Sequence, residues 1–278
     1  MKTIKSLSSV FLAILICVLT FPSAMASNIP ANLSDEEILA LILTGEGYYL
    51  GNGVPINEFE NSGTGPRWAS GTDGTHQYIT SYGLSILNND KLSVYNWYTS
   101  HGNNILSTII VNSDWPDDNE TDQRRFTGHF YYADAYNDNH TALTRFTQHY
   151  NAAVSYYEDG SYTNAFAELG RAIHYLEDAS TPVHASLDYY GLYAPIKHPQ
   201  YENYVNDHLS SYQATTSSQY TLMNTSFTNI FDTIALYAYN RIPTDWSDSG
   251  IHASASLAVP RAMGNVAGIL NRFYNDVT

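Results

Sequence analysis

Nine of the ten histidines fall between His76 and His208. The densest run is His174-Tyr175-Leu176-Glu177-Asp178, then His184, then His198-Pro199-Gln200-Tyr201-Glu202. His174 and Asp178 stand one helical turn apart, so on a helix both project from one face and can reach one ion. His198 and Glu202 repeat that spacing, and His184 follows Pro182 in the segment between them. An imidazole nitrogen and a carboxylate oxygen at this spacing are a usual way to supply two zinc ligands. Either pair alone would equally suit a surface hydrogen bond or ion pair, whereas two pairs around a central histidine point to a metal. Upstream, Phe126-Thr127-Gly128-His129-Phe130-Tyr131 sets one histidine among aromatics, where a core histidine is the alternative. Trp115-Pro116-Asp117-Asp118 is a carboxylate-rich turn that would also serve as a solvated loop.

Helices must position these side chains. Apolar residues recur at helical spacing from Trp68 onward: Ile79, Tyr82, Gly83, Ile86 and Leu87, then Leu143, Phe146, Tyr150, Ala153, Val154 and Tyr157. Further stripes run through Ala165, Phe166, Leu169, Ile173 and Leu176, through Tyr201, Val205, Leu209 and Tyr212, and through Phe227, Ile230, Phe231, Ile234 and Tyr237. Val266, Ala267, Leu270 and Phe273 close the pattern. Strict alternation over a strand-length window is missing. The expectation is a single compact all-α domain of six to eight helices, with segment 92–111 the least regular.

The chain has 278 residues, 44% hydrophobic, 14% aromatic and only 14% charged, with a formal net charge of −15. That suffices for a sizeable core and argues against disorder. The acidic balance weighs against nucleic acid or an anionic membrane held by general electrostatics. Lys2 and Lys5, the apolar run Val10 to Leu19, and Ala24-Met25-Ala26 read as a signal peptide over 1–26, hence a secreted protein. No later run is long enough to span a bilayer. Cys17, the single cysteine, lies in that leader, so the exported chain has no disulfide, thiol nucleophile or thiolate zinc site. Residues 27–67 lack histidine and end in the Gly- and Asn-rich stretch before Arg67. They read as a propeptide cut after Arg67, or as a variable extension.

In order, Gly74-Thr75-His76, Ser85 to Asp90, Trp115-Pro116-Asp117, His129-Phe130, Leu169-Gly170, His174-Tyr175 with Asp178, Pro182-Val183-His184, His198 to Glu202 and Val266-Ala267-Gly268 resemble the bacterial zinc-dependent phospholipase C family. The similarity is greatest to the catalytic domain of the clostridial alpha-toxin type and covers 68–278. It implies an all-helical domain with three Zn2+ ions in a cleft. By that resemblance Asp117, His129, His174 and Asp178 bind one zinc, and His184, His198 and Glu202 a second. The third takes His76, a bridging oxygen of Asp178, and the free amino nitrogen and carbonyl oxygen of Trp68. An α-amine still in peptide linkage to Arg67 cannot coordinate, so a processing protease would complete that third site. The resemblance also gives Asp117 the role of the carboxylate that orients or deprotonates the attacking water, although Asp114 and Asp118 stand close enough to exchange registers with it.

The implied activity is hydrolysis of glycerophospholipids of the phosphatidylcholine type, at a membrane or micelle surface, to diacylglycerol and a phosphorylated head group. Phe126 matches one of the two aromatics that hold choline in bacillar relatives. The second falls at Asp118, a carboxylate, and the glutamate of those relatives has no evident counterpart, Gly71 being nearest. With Thr278 just after the last helix and no lipid-binding β-sandwich in sight, the expectation is a weakly haemolytic hydrolase of accessible or short-chain lipids. Two other readings are a trizinc single-strand nuclease and a non-catalytic zinc-binding protein. The first of these typically has a closer Trp-to-His spacing than Trp68 to His76, and disulfides that this chain cannot form.

Overall fold

The computed structural model describes residues 74–120, 127–133, 141–186 and 194–278, all within the unit Arg67–Thr278. The proposed signal peptide and propeptide, and Trp68 and Phe126, lie outside them. Among the described residues every regular element is helical. The α-helices are α1 Thr75–Asp90, α2 Leu92–Ser100, α3 Ile105–Asn112, α4 Trp115–Asn119, α5 Thr141–Glu158, α6 Tyr162–Ala179, α7 Ala194–Asp207, α8 Tyr220–Met223, α9 Phe227–Tyr239 and α10 Asp248–Val277. Short 3-10 turns at Thr127–His129, Pro182–His184 and Leu209–Ser211 complete the list.

α6 is the centre of the domain. From Ala172 to Ala179 every residue is buried, so this half of the helix has no solvent face. Polar residues here must meet partners inside, since an unpaired buried polar group is costly. α5 and α3 pack against α6, and the 30-residue α10 runs across α1, α8 and α6. Gly170 lets α3 approach: a Cβ there would stand 2.5 Å from the Ile109 carbonyl oxygen. Gly83 does the same for α10, where an added Cβ would meet Val266 at 2.4 Å. Ser226 and Ser247 cap α9 and α10 by accepting from the amides of Asn229 and Gly250, each such cap contributing about 1 kcal/mol.

Three boundaries differ from the periodicity. Segment 92–111 is two helices, broken at Gly102, whose φ of 132° suits a residue without a Cβ. The stripe from Tyr201 to Tyr212 is not one helix, because α7 stops at Asp207 and Leu209–Ser211 tightens into a 3-10 turn. The last helix begins well before Val266, at Asp248, and carries Pro260 in its interior. Small residues such as Ser254, Ala255 and Ala258 fill its buried face there, and small side chains give a weak apolar signal.

Candidate metal centre

α1, α4, α6, α7 and two 3-10 turns bring the histidines and carboxylates together. Three groups have donor atoms that all lie within 4.8 Å of one another: His129, His174 and Asp178; His76, Asp117 and His174; and His184, His198 and Glu202.

In the first group the His129 Nδ1 lies 2.8 Å from Asp178 Oδ2 and 2.9 Å from His174 Nε2, and His174 Nε2 lies 3.2 Å from Asp178 Oδ2. Asp117 Oδ1 stands 3.6 Å from both imidazole nitrogens. Donors around a tetrahedral zinc ion sit about 3.3 Å apart, given zinc–ligand bonds near 2.0 Å, and these spacings bracket that value. His184 Nε2, His198 Nε2 and Glu202 Oε1 form a tighter triangle with sides of 2.8–2.9 Å. His76 Nε2 is 3.7 Å from Asp117 Oδ2 and 3.7 Å from Asp178 Oδ1. Both aspartates therefore turn one oxygen toward His76 and the other toward the His129–His174 pair. The sequence reading has Asp178 alone in that bridging position.

The outer hydrogen bonds select which nitrogen faces inward. His174 donates its Nδ1–H to the Ser113 carbonyl at 2.8 Å, and His184 donates its Nδ1–H to the His129 carbonyl at 3.0 Å. With Nδ1–H held outward, each turns Nε2 toward the carboxylates, and displacement of the Nε2 proton by a metal would leave the tautomer that a metal requires. His76 has the fully buried Glu177 on its Nδ1, at 2.6 Å, and Thr80 donates to the same carboxylate at 2.8 Å. Glu202 Oε2 is buried without a hydrogen-bond partner. Thiol-free imidazole and carboxylate donors, two tautomers set by backbone carbonyls and an unmatched buried oxygen fit divalent metal ions.

Electrostatics agree. Burial favours the neutral form of His174, but Asp178 and Asp117 outweigh it and raise its pKa to about 10. Burial is likewise overcome at His184, where Asp178 and Glu202 raise the pKa to about 9. Asp178 is held well below the ordinary carboxylate range: burial opposes this, but His174, His184 and His129 prevail. At Asp117 burial wins and raises the pKa, although His174 and His129 pull the other way. The buried carboxylates thus favour positive charge at His174 and His184, whereas burial, with His174 adding to it, holds the His76 pKa well below 6.5.

Local structure explains how each of these side chains is aimed. α4 turns Asp117 inward, while Asp118 on the same short helix is exposed and Asp114 is buried beside Gln77. Of these three carboxylates, Asp117 joins one of the donor groups. Trp115 anchors α4 against α6 by stacking under the Arg171 guanidinium at 3.9 Å. The segments bearing His129 and His184 are tied by the bonds Tyr131 N–H to His184 O at 3.1 Å and Ala133 N–H to Ala185 O at 2.9 Å. Phe130 stacks on His184 with an interplanar angle of 11°.

The sequence reading leaves out Glu177 and the layer behind His129. That layer is Tyr175, which meets the His129 ring at 5.5 Å and donates to Glu120, with Arg145 and His149 grouped on the same carboxylate. Glu177, one residue before Asp178, points to the opposite partner on a helix buried all round, a signal that appears only once burial is known. His101, His140, His149, His208 and His252 match no ligand position in sequence; His140 lies outside the described residues, and the other four join none of the three groups.

No protein-family model matches the chain. Among curated proteins, a phospholipase C of Paraclostridium bifermentans is 26% identical over 253 residues, 78% of this chain and 63% of the relative. A phospholipase C of Clostridium perfringens is 26% identical over 245 residues, 76% of this chain and 60% of the relative. The chain thus spans less than two thirds of the length of these relatives. The crystal structure of an alpha-toxin from an avian strain of C. perfringens superposes with a TM-score of 0.64 at 21% identity, covering 76% of this chain and 66% of that one. The chain is therefore related, by sequence and by its all-helical fold, to the clostridial alpha-toxin-type phospholipases C.

Proposed function

We propose that this chain is a secreted phospholipase C that holds three zinc ions, made as a zymogen over 27–67 and activated by cleavage before Trp68. Its substrates are glycerophospholipids of the phosphatidylcholine type, split to diacylglycerol and a phosphorylated head group. The observation that carries this reading is the convergence of His76, Asp117, His129, His174, Asp178, His184, His198 and Glu202 into three donor groups. The relatives named phospholipase C add weight to it.

Zinc bound there would supply Lewis acidity toward phosphoryl oxygens and bring the pKa of water near neutrality. The chain's own residues do the rest. The cluster is most open at His129 and Asp117, whose side chains are 12% and 11% exposed, against 0% for His174 and 3% for Asp178. A phosphodiester and an attacking water therefore meet the carboxylate of Asp117 first. Its Oδ1 stands at this open edge of the cluster, 3.6 Å from the nitrogens of His129 and His174, where a carboxylate can orient such a water and take its proton. As the water oxygen bonds to phosphorus, its proton passes to the Asp117 oxygen. The bond to the glycerol oxygen breaks, and that oxygen leaves as the diacylglycerol hydroxyl on taking a proton, which restores the Asp117 carboxylate when Asp117 returns it. Asp178 and the imidazoles, locked by their outer hydrogen bonds, keep the donors in place through that change. Asp118 and Phe126 are the proposed contacts for the head group.

The test is to cleave the purified protein, verify an N-terminus at Trp68, and assay phosphatidylcholine and single-stranded DNA with and without chelator. Lipid hydrolysis that rises on cleavage, and is lost to chelator and in His174→Ala, is the expected result. Cleavage of DNA, or three bound zinc ions without turnover of either substrate, would overturn it.

A further inference from the structure

In a chain of net charge −15 a cation has many carboxylates to choose from. Three of the five arginines among the described residues have chosen one: Arg145 pairs with Glu120 at 3.2 Å, Arg171 with Glu168 at 2.7 Å, and Arg272 with Asp276 at 3.2 Å. Arg241 and Arg261 form no such pair among the described residues. Instead both guanidinium groups lie against the ring of Tyr237, with their central carbons 3.8 Å and 4.8 Å from its centroid. Each has its Nε buried without a hydrogen-bond partner. Arg241 donates once, from Nη1 to the Tyr237 carbonyl at 3.4 Å. The Tyr237 hydroxyl has no protein partner among the described residues.

Two like charges gathered on one ring repel each other. Arg261 feels it: burial lowers its proton affinity, Tyr237 partly offsets this, and Arg241 lowers it again. Stacking on an aromatic face contributes about 0.5–2 kcal/mol, and apart from the one bond from Arg241 Nη1 it leaves the in-plane N–H donors of both forks unspent. An anion placed between them would accept from the remaining Nη donors of both forks and cancel the repulsion. The two guanidinium carbons are within roughly 9 Å of each other, a span that one anion bonded to both forks can bridge. A carboxylate has two oxygens for this; a phosphate has three or four and can accept from both forks and from the tyrosine hydroxyl. Leu257, one turn before Arg261 on the same face of α10, is 52% exposed, so an apolar side chain flanks the pair.

We infer that Arg241, Arg261 and Tyr237 form a second anion site, separate from the metal-binding cluster, that takes a phosphate group. The site shares no residue with the three donor groups, so it stands or falls independently of the reaction proposed above. The phosphate can be that of a soluble phosphomonoester or of a lipid head group beside Leu257.

The probe is the arginine Nε–Hε signal set of the full-length, metal-loaded protein, titrated with inorganic phosphate. The signals of Arg241 and Arg261, assigned by their loss in Arg241→Gln and Arg261→Gln, should shift together with one dissociation constant on the order of 1 mM. The other arginine signals should stay still. Each single variant should abolish the response of the remaining member of the pair. Absence of a saturable shift, or an equal drift of every arginine, would overturn the assignment. A second arm measures sedimentation with phosphatidylcholine vesicles, with and without phosphatidylglycerol. Loss of the phosphatidylglycerol-dependent fraction in the double Gln variant identifies a lipid phosphate as the ligand. Retention of that fraction, beside a positive phosphate titration, identifies a soluble one.

Discussion

Glu177→Gln separates a metal-tuning role from a purely structural one, because the two predict different signs in the metal-free and metal-loaded protein. Glu177 is fully buried, with Oε2 2.6 Å from His76 Nδ1 and Oε1 accepting from Thr80 at 2.8 Å. Burial raises its pKa well above 4.5, although Thr80 and His174 act in the other direction. The metal-free native state therefore binds a proton that the unfolded chain has released, and its stability falls as pH rises above 4.5. Glutamine does not titrate and keeps the shape, so near pH 7 the metal-free variant should be as stable as the wild type or more so. With zinc present the order reverses. Losing a charged partner on a ligating imidazole typically weakens metal binding by about 10- to 100-fold, and the lower end of that range is about 1.4 kcal/mol. For a domain of this size that amounts to roughly 3–6 °C in the midpoint of the zinc-saturated protein. The assay is thermal melting with excess zinc and with chelator, beside zinc competition against a fluorescent chelator. Equal destabilisation in both states, or an unchanged zinc affinity, would refute the reasoning.

Asp117→Asn should lower phospholipid hydrolysis by about 100-fold or more, the usual scale of a lost general base, and should also weaken metal binding, since both oxygens of Asp117 face imidazoles. Activity within a few-fold of wild type would move the base elsewhere. Gly170→Ala should destabilise by about 1–3 kcal/mol despite alanine's better helix propensity, because the new Cβ would meet the Ile109 carbonyl oxygen at 2.5 Å. Reduced zinc content should accompany it, since α3 leads into the carbonyl that orients His174; calorimetry and metal analysis check both. At His149, burial favours the neutral form, but bonds to Glu120 and Glu168 raise its pKa above 6.5. Its stabilising contribution is complete below 6.5 and is lost as pH rises through the folded value. His149→Gln should therefore cost more stability near pH 6 than near pH 9, and a pH-independent loss in denaturant melts would contradict this.

The parts of the site legible in the sequence are those whose geometry is local. His174 with Asp178, and His198 with Glu202, are set by one turn of helix, so their spacing alone predicts a shared face. The apolar stripes of α1, α5, α6 and α9 are likewise a local period written against one core. Where side chains are small, as in the first half of α10, the stripe fades and the helix start at Asp248 escapes notice.

Tertiary packing decided everything that depends on separate segments meeting inside the domain. The two-sided use of Asp117 needs α4 pressed against α6 by Trp115 and Arg171, and the tautomers of His174 and His184 need the carbonyls of Ser113 and His129. Glu177 becomes a partner of His76 because α6 is buried on every side. The physical reason is one of range: residue spacing along a helix fixes directions over a single turn, whereas a donor cage and a pair of unneutralised arginines on one tyrosine ring arise only when distant elements close together.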